Sequence, residues 1–206
     1  MHKQNNQNNQ NYIKDYKNEK VKEIVKKSKN LDQEALKYIA KELYEYICSD
    51  IGISNNLDNQ SDAAKSSEIL ILHAPSSSFT RQQKKKDHMA LICGYIKEFN
   101  DADRSTNKPK IDICPNFFLI DMDQTKSQHE KTREERLLSD ESKFTLLYKQ
   151  IFGLGQHGQA YKYIYIVDDV LTTGATLSTL VQIIQNIVSN LPETHSAEVK
   201  SLAFCH

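Results

Sequence analysis

The sequence predicts an α/β fold, a mostly parallel β-sheet flanked by helices. Three observations predict it. Strand-length apolar runs at Glu68–His73, Phe117–Ile120, Tyr163–Val167 and Glu198–Phe204 are interleaved with segments of helical periodicity. The run Tyr163–Val167 (YIYIV) is continuous, aromatic and β-branched, as expected of a strand buried on both faces. It passes through a short turn into a helical face of Leu177, Leu180, Val181, Ile184, Ile187, Val188 and Leu191. A ligand turn at the C-terminal end of a strand is where open parallel sheets build their sites.

Residues 1–11 (MHKQNNQNNQN) form a Gln/Asn tract without a hydrophobic face, expected to be a disordered tail. From Tyr12 to about Ser28 a lysine-rich segment carries Val21, Ile24 and Val25 at helical spacing. A stronger helix follows, with Leu36, Ile39, Ala40, Leu43 and Ile47 in register and Asn30 or Asp32 as its cap. The lysines of both segments read as a solvated face. Residues 50–67, rich in Asn, Asp and Ser, read as a surface loop that closes an N-terminal helical segment over 12–67.

The α/β core is expected over 68–206. Strand Glu68–His73 (EILILH) runs into Ala74-Pro75-Ser76-Ser77-Ser78, then Arg81 and Lys84-Lys85-Lys86. A helix with Leu91, Ile92, Tyr95, Ile96 and Phe99 on one face follows, with Asp87 as its cap. Residues 101–110 read as loop, and the next strand signal is Phe117–Ile120. The stretch Thr125–Arg136 is polar and densely charged, the composition of an exposed loop. Gly153-Leu154-Gly155-Gln156-His157-Gly158 matches the dinucleotide-binding glycine pattern in letters only, because it precedes a strand instead of following one.

Whole-chain properties narrow the class. The 206 residues carry 27 basic and 27 acidic side chains, so a net charge of zero offers no general grip on nucleic acid. No apolar run approaches the roughly 20 residues of a membrane span, and the N-terminus lacks a signal-peptide core, which makes the cytoplasm the expected location. Cys48, Cys93, Cys114 and Cys205 are scattered and form no Cys-x-x-Cys pair, as in a reduced protein without a zinc ribbon. Nothing in the pattern opposes a homodimer.

The chemistry concentrates in Asp168, Asp169 and the turn Thr172-Thr173-Gly174-Ala175-Thr176. A tight turn feeding a helix N-terminus is an anion seat, through backbone N–H groups and the positive end of the helix dipole. Threonine hydroxyls add donors, and Gly174 permits close approach of the backbone. Two carboxylates would repel a phosphate, so they are read as acceptors from a vicinal diol, or as neighbours of a divalent cation. A ribose 5-phosphate unit satisfies both demands.

At these residues the chain resembles the type I phosphoribosyltransferases. The resemblance lies in their signature for phosphoribosyl pyrophosphate (PRPP): an apolar strand, two acids, two small or aliphatic positions and Thr-Thr-Gly-x-Thr. The resemblance implies a phosphoribosyltransferase-like (PRTase-like) fold and transfer of the phosphoribosyl group from PRPP to an unidentified acceptor, with release of pyrophosphate. It places the 5-phosphate on Thr172–Thr176 and the ribose hydroxyls on Asp168 and Asp169. Mg²⁺ would be held mainly by the ligand. Ser76, Ser77, Ser78 and Arg81 would then meet pyrophosphate, and Lys126, Arg133 and Arg136 would close over it and exclude water.

Two further stretches are similar to the ComF branch of that family: Thr125-x-x-Gln128 before Arg133-x-x-Arg136, and Asp87-His88-Met89 after a basic segment. The chain departs from the branch in Tyr165, in Lys84-Lys85-Lys86 where Arg-Gly-aromatic is usual, in Glu130-Lys131 for Gly-Leu, and in having no zinc ribbon. Two other readings share these residues. One is a non-catalytic PRPP- or nucleotide-binding protein of ComF type linked to DNA uptake. The other is a haloacid-dehalogenase-type phosphatase with Asp121 of Asp121-Met122-Asp123-Gln124-Thr125 as nucleophile. It leaves Thr172–Thr176 without a role and too little chain between the acid pairs.

Overall fold

A computed structural model describes residues 4–5, 10–52, 68–75, 87–104, 108–114, 118–120, 144–146, 161–190 and 197–206. In chain order the elements are β1 (Gln4–Asn5), β2 (Gln10–Lys14), α1 (Glu19–Lys29), α2 (Gln33–Asp50), β3 (Glu68–His73), α3 (His88–Ala102), β4 (Lys110–Ile113), β5 (Phe118–Ile120), β6 (Phe144–Leu146), β7 (Tyr163–Val170), α4 (Ala175–Ser189) and β8 (Glu198–Cys205). The protein is α/β, with its main sheet in the order β1-β2-β8-β7-β3-β4. Five of these strands, β2, β8, β7, β3 and β4, run parallel. β1 adds a two-residue antiparallel edge.

The strand alternation of β7 explains the layering. Tyr165 and Val167 join a cluster with Ile69, Ile71, Leu202 and Phe204, packed under Val25 of α1, Leu36, Ile39, Leu43 and Ile47 of α2, and Met89, Ile92 and Ile96 of α3. Ile164 and Ile166 point the other way, joining Leu70, Leu72 and Ala203 beneath Leu177, Leu180 and Ile184 of α4. β7 is therefore central, buried on both faces and paired on both edges, by β3 and by β8. Its near-continuous apolar run is the sequence form of that position.

Helix starts follow their caps. Asn18 Oδ1 accepts the Lys20 amide at 2.9 Å, Asp32 Oδ1 accepts the Ala35 amide at 2.9 Å, and Asp87 Oδ1 accepts the Met89 amide at 2.9 Å. Asp32 is thus the cap of α2, while Asn30 closes α1.

Three sequence expectations are corrected. Residues 12–14 belong to β2 and not to a helix: they pair in parallel with β8, and the helix waits for the Asn18 cap. Gln4–Asn5 and Gln10–Asn11, expected in a featureless tail, are also in strands, because a sheet edge binds backbone and asks for no apolar side chain. Third, the loop expected over 101–110 is shorter: α3 runs to Ala102, and Lys110 opens the strand Lys110–Ile113, which pairs with β3. The strand expected at Phe117–Ile120 is present over Phe118–Ile120 and pairs antiparallel with Phe144–Leu146 in a separate two-stranded sheet. Lys110–Ile113 carries one fully buried apolar residue, Ile111, too weak a signal to read in advance.

Tyr165, the departure from the signature, has a structural use. Its hydroxyl donates to Asp50 Oδ2 at 2.8 Å, and Lys200 Nζ reaches the same oxygen at 2.8 Å, tying the end of α2 to the sheet. Tyr165→Phe is expected to cost about 1 kcal/mol, the usual net worth of one such bond, measured by urea unfolding.

Candidate ligand-binding site

The C-terminal end of β7 is fixed from both sides. The Ala74 amide donates to the Val167 carbonyl at 2.9 Å, and the Leu171 amide donates to the Cys205 carbonyl at 2.7 Å. The buried Cys205 thiol donates to the Asp169 carbonyl at 3.4 Å, and burial pushes that thiol up to about 12, so it stays protonated. Beyond Leu171, which is buried, the chain bends out: Thr172 is exposed and Thr173, Ala175 and Thr176 are half-buried.

Gly174 is the N-cap of α4 with φ 74° and ψ −3°. That left-handed conformation is the one a side chain resists and glycine adopts freely. Gly174 offers no side-chain cap to α4. The Ala175 amide makes a long bond of 3.4 Å to Thr173 Oγ1, and the Ser178 amide donates to the Gly174 carbonyl at 2.9 Å. The first turn of α4, with its positive dipole end, therefore carries threonine hydroxyls in place of a carboxylate cap.

Asp168 and Asp169 are brought together but not made equivalent. Asp169 turns toward α1 and α3, whose Lys29 and His88 it meets, and the Asp168 carboxyl lies beside it. Asp168 is half-buried, and its Oδ1 accepts the Asp169 amide at 2.8 Å. Asp169 is buried. Its Oδ2 lies 3.1 Å from His88 Nε2, at the start of α3, and 3.2 Å from Lys29 Nζ, in the last turn of α1.

These surroundings separate the two acids electrostatically. Burial, and then the Asp169 charge beside it, push the Asp168 carboxyl well above the usual carboxylate range. Burial works in the same direction on Asp169, but the His88 hydrogen bond and the Lys29 charge outweigh it and hold that carboxyl down to about 2. Lys29 is raised in turn: burial opposes its charge, and the Asp169 and Asp168 carboxylates more than compensate. Asp169 is thus held as an anion by two partners, while burial and that neighbouring anion both disfavour charge on Asp168.

Of the residues singled out in the sequence, Asp168, Asp169 and Thr172–Thr176 converge at this one strand end. Ser76, Ser77, Ser78, Arg81, Lys126, Arg133, Arg136 and Asp121 lie outside the described residues. His73 is buried, with Nδ1 2.9 Å from the Ala74 carbonyl. Sequence reasoning missed Lys29, which it assigned to a solvated face. A lysine at the end of a helix carries no local sign that a distant strand will bring it an aspartate. The Asp87-His88-Met89 stretch was the one available signal for His88.

Among the described residues no group of three or more His, Cys, Asp or Glu side chains is arranged to hold a metal ion. No described helix is long and apolar enough to cross a membrane. No family model matches the chain, and no curated protein matches it.

Proposed function

We propose that this protein is phosphoribosyltransferase-like in fold and activity. It binds PRPP with Mg²⁺ and transfers the phosphoribosyl group to an acceptor, releasing pyrophosphate. One observation carries the reading: acids, a left-handed glycine and hydroxyls meet at a helix N-terminus, at the end of the central strand of a parallel sheet.

The residues divide the ligand between them. Thr172, Thr173 and Thr176 and the backbone of the Gly174 bend hold the 5-phosphate at the positive end of α4. Asp168 accepts a ribose hydroxyl, whose hydrogen bond offsets the burial that otherwise favours the protonated form of the acid. Asp169 presents its second oxygen to the neighbouring hydroxyl. Both ends of the sugar are then immobile, so C1 is held where a nucleophile can meet it in line with departing pyrophosphate.

Magnesium suits the site as a passenger of the ligand. The described residues offer it hard carboxylate oxygen from Asp168 but no dedicated cage. Bound to pyrophosphate oxygens, it would spread the charge that builds on the leaving group.

Calorimetry of the wild-type chain with PRPP, with and without Mg²⁺, tests the reading. The expected result is binding that Mg²⁺ strengthens and ribose 5-phosphate competes away. No heat under either condition overturns it. Pyrophosphate release in the presence of nucleobases or amines separates the transferase from a non-catalytic PRPP-binding protein.

A further inference from the structure

The Asp169 contacts lead beyond the two acids. Asp169 is buried on the side of the sheet away from α4, and a buried carboxylate swings or protonates unless something holds it. Two groups do, and they come from different elements: His88 from the first turn of α3 and Lys29 from the last turn of α1. Both engage the same oxygen, Oδ2, at 3.1 and 3.2 Å. Oδ1 is the oxygen that neither of them takes. The His88 side chain is nearly as buried as the carboxylate, at 10% and 8% exposure, whereas that of Lys29 is 46% exposed. The imidazole is therefore the rigid partner and the lysine the adaptable one.

We propose that His88 is a positioning residue for sugar recognition: by clamping Oδ2 of Asp169 it presents Oδ1 to a ribose hydroxyl, and so couples the first turn of α3 to the ligand. The inference rests on the ribose-phosphate reading of the bend. It adds that the site has two separable halves. The phosphate half consists of Thr172–Thr176 and α4. The sugar half needs α3 in place. Asp87 anchors that turn by capping α3 through the Met89 amide, one residue beyond His88. Among the described residues the Asp168 carboxyl also meets that of Asp169, and the Cys205 thiol on β8 donates to the Asp169 main-chain carbonyl.

The halves can be read separately with inorganic phosphate and ribose 5-phosphate, titrated by calorimetry into the full chain. In His88→Ala, ribose 5-phosphate is expected to bind about tenfold more weakly or worse, on the scale of one charge-assisted hydrogen bond, while phosphate binds as in wild type. His88→Gln keeps a donor at the end of a side chain of similar reach and is expected to recover most of the loss. Lys29→Ala, at a half-exposed position, is expected to weaken ribose 5-phosphate by only a few-fold.

Unchanged ribose 5-phosphate affinity in His88→Ala overturns the inference and leaves the ribose-phosphate reading standing. Equal losses for both ligands in His88→Ala and in His88→Gln also overturn it, since His88 would then be supporting the fold alone. Failure of the wild-type chain to bind either ligand sinks the ribose-phosphate reading itself.

Discussion

The double variant Asp168→Asn/Asp169→Asn is expected to bind PRPP at least a hundredfold more weakly than wild type in calorimetry with Mg²⁺. Each charge-assisted hydrogen bond to a sugar hydroxyl is worth roughly 1.5–3 kcal/mol, and two are lost together. An unchanged isotherm would remove both acids from the site. The single variants should also part company in stability, because their surroundings differ. Asp168→Asn keeps an acceptor for the Asp169 amide while removing a carboxyl that burial and a neighbouring anion disfavour, so it should stabilise the unliganded protein by about 0.5–2 kcal/mol. Asp169→Asn leaves His88 and Lys29 without their anion and should destabilise it by roughly 1–3 kcal/mol.

The pH dependence has opposite signs at the two positions. Asp169 is held at about 2, below its ordinary 3.8, so its contribution is complete above 3.8 and is lost as the pH falls toward 2. Asp168 is raised above 3.8, so its ionisation costs stability as the pH climbs past that value. The gain from Asp168→Asn should therefore be present near neutrality and vanish on acidification to 3.8. Urea unfolding of the three proteins across that range reads both effects. Equal behaviour of the two variants would refute the asymmetry.

Phe204→Ala should have the largest effect on stability, with a loss of about 3–5 kcal/mol. Phe204 has no exposed surface and packs in the cluster beneath α1, α2 and α3, with its ring edge-on to Tyr38 at a centroid separation of 6.1 Å. Rigid elements meet there from both sides, so the vacated volume cannot close, and the cavity adds to the lost burial. For a chain of this size each kcal/mol moves the midpoint by about 2–4 °C, which puts the expected fall on the order of 10 °C. Differential scanning calorimetry would show it. A fall of a degree or two would mean that α2 does not pack on β8 as described.

Legibility in the sequence followed the strength of the local signal. β3, α3, β7, α4 and β8 were readable because burial on two faces, or on one helical face, writes a dense apolar pattern. Asp32 and Asp87 were readable as caps because capping needs a short side-chain acceptor at a fixed offset. β2 and β4 were not. Gln10–Lys14 is held by backbone pairing with β8 and β1, and Lys110–Ile113 has a single fully buried side chain. Phe118–Ile120 showed strand propensity truthfully, but propensity does not name a partner, and its partner is Phe144–Leu146.

By itself the sequence determined the α/β class and the position of the candidate site. Both are local: a strand, two acids, a glycine that must turn left-handed and a helix follow one another within a few residues. Only the tertiary structure decided that the two aspartates differ. The two are neighbours in the chain, and only folding sets His88 and Lys29 against the Asp169 carboxylate. Unlike surroundings, and hence unlike charge, arise from contacts between residues far apart in the chain, which no local pattern records.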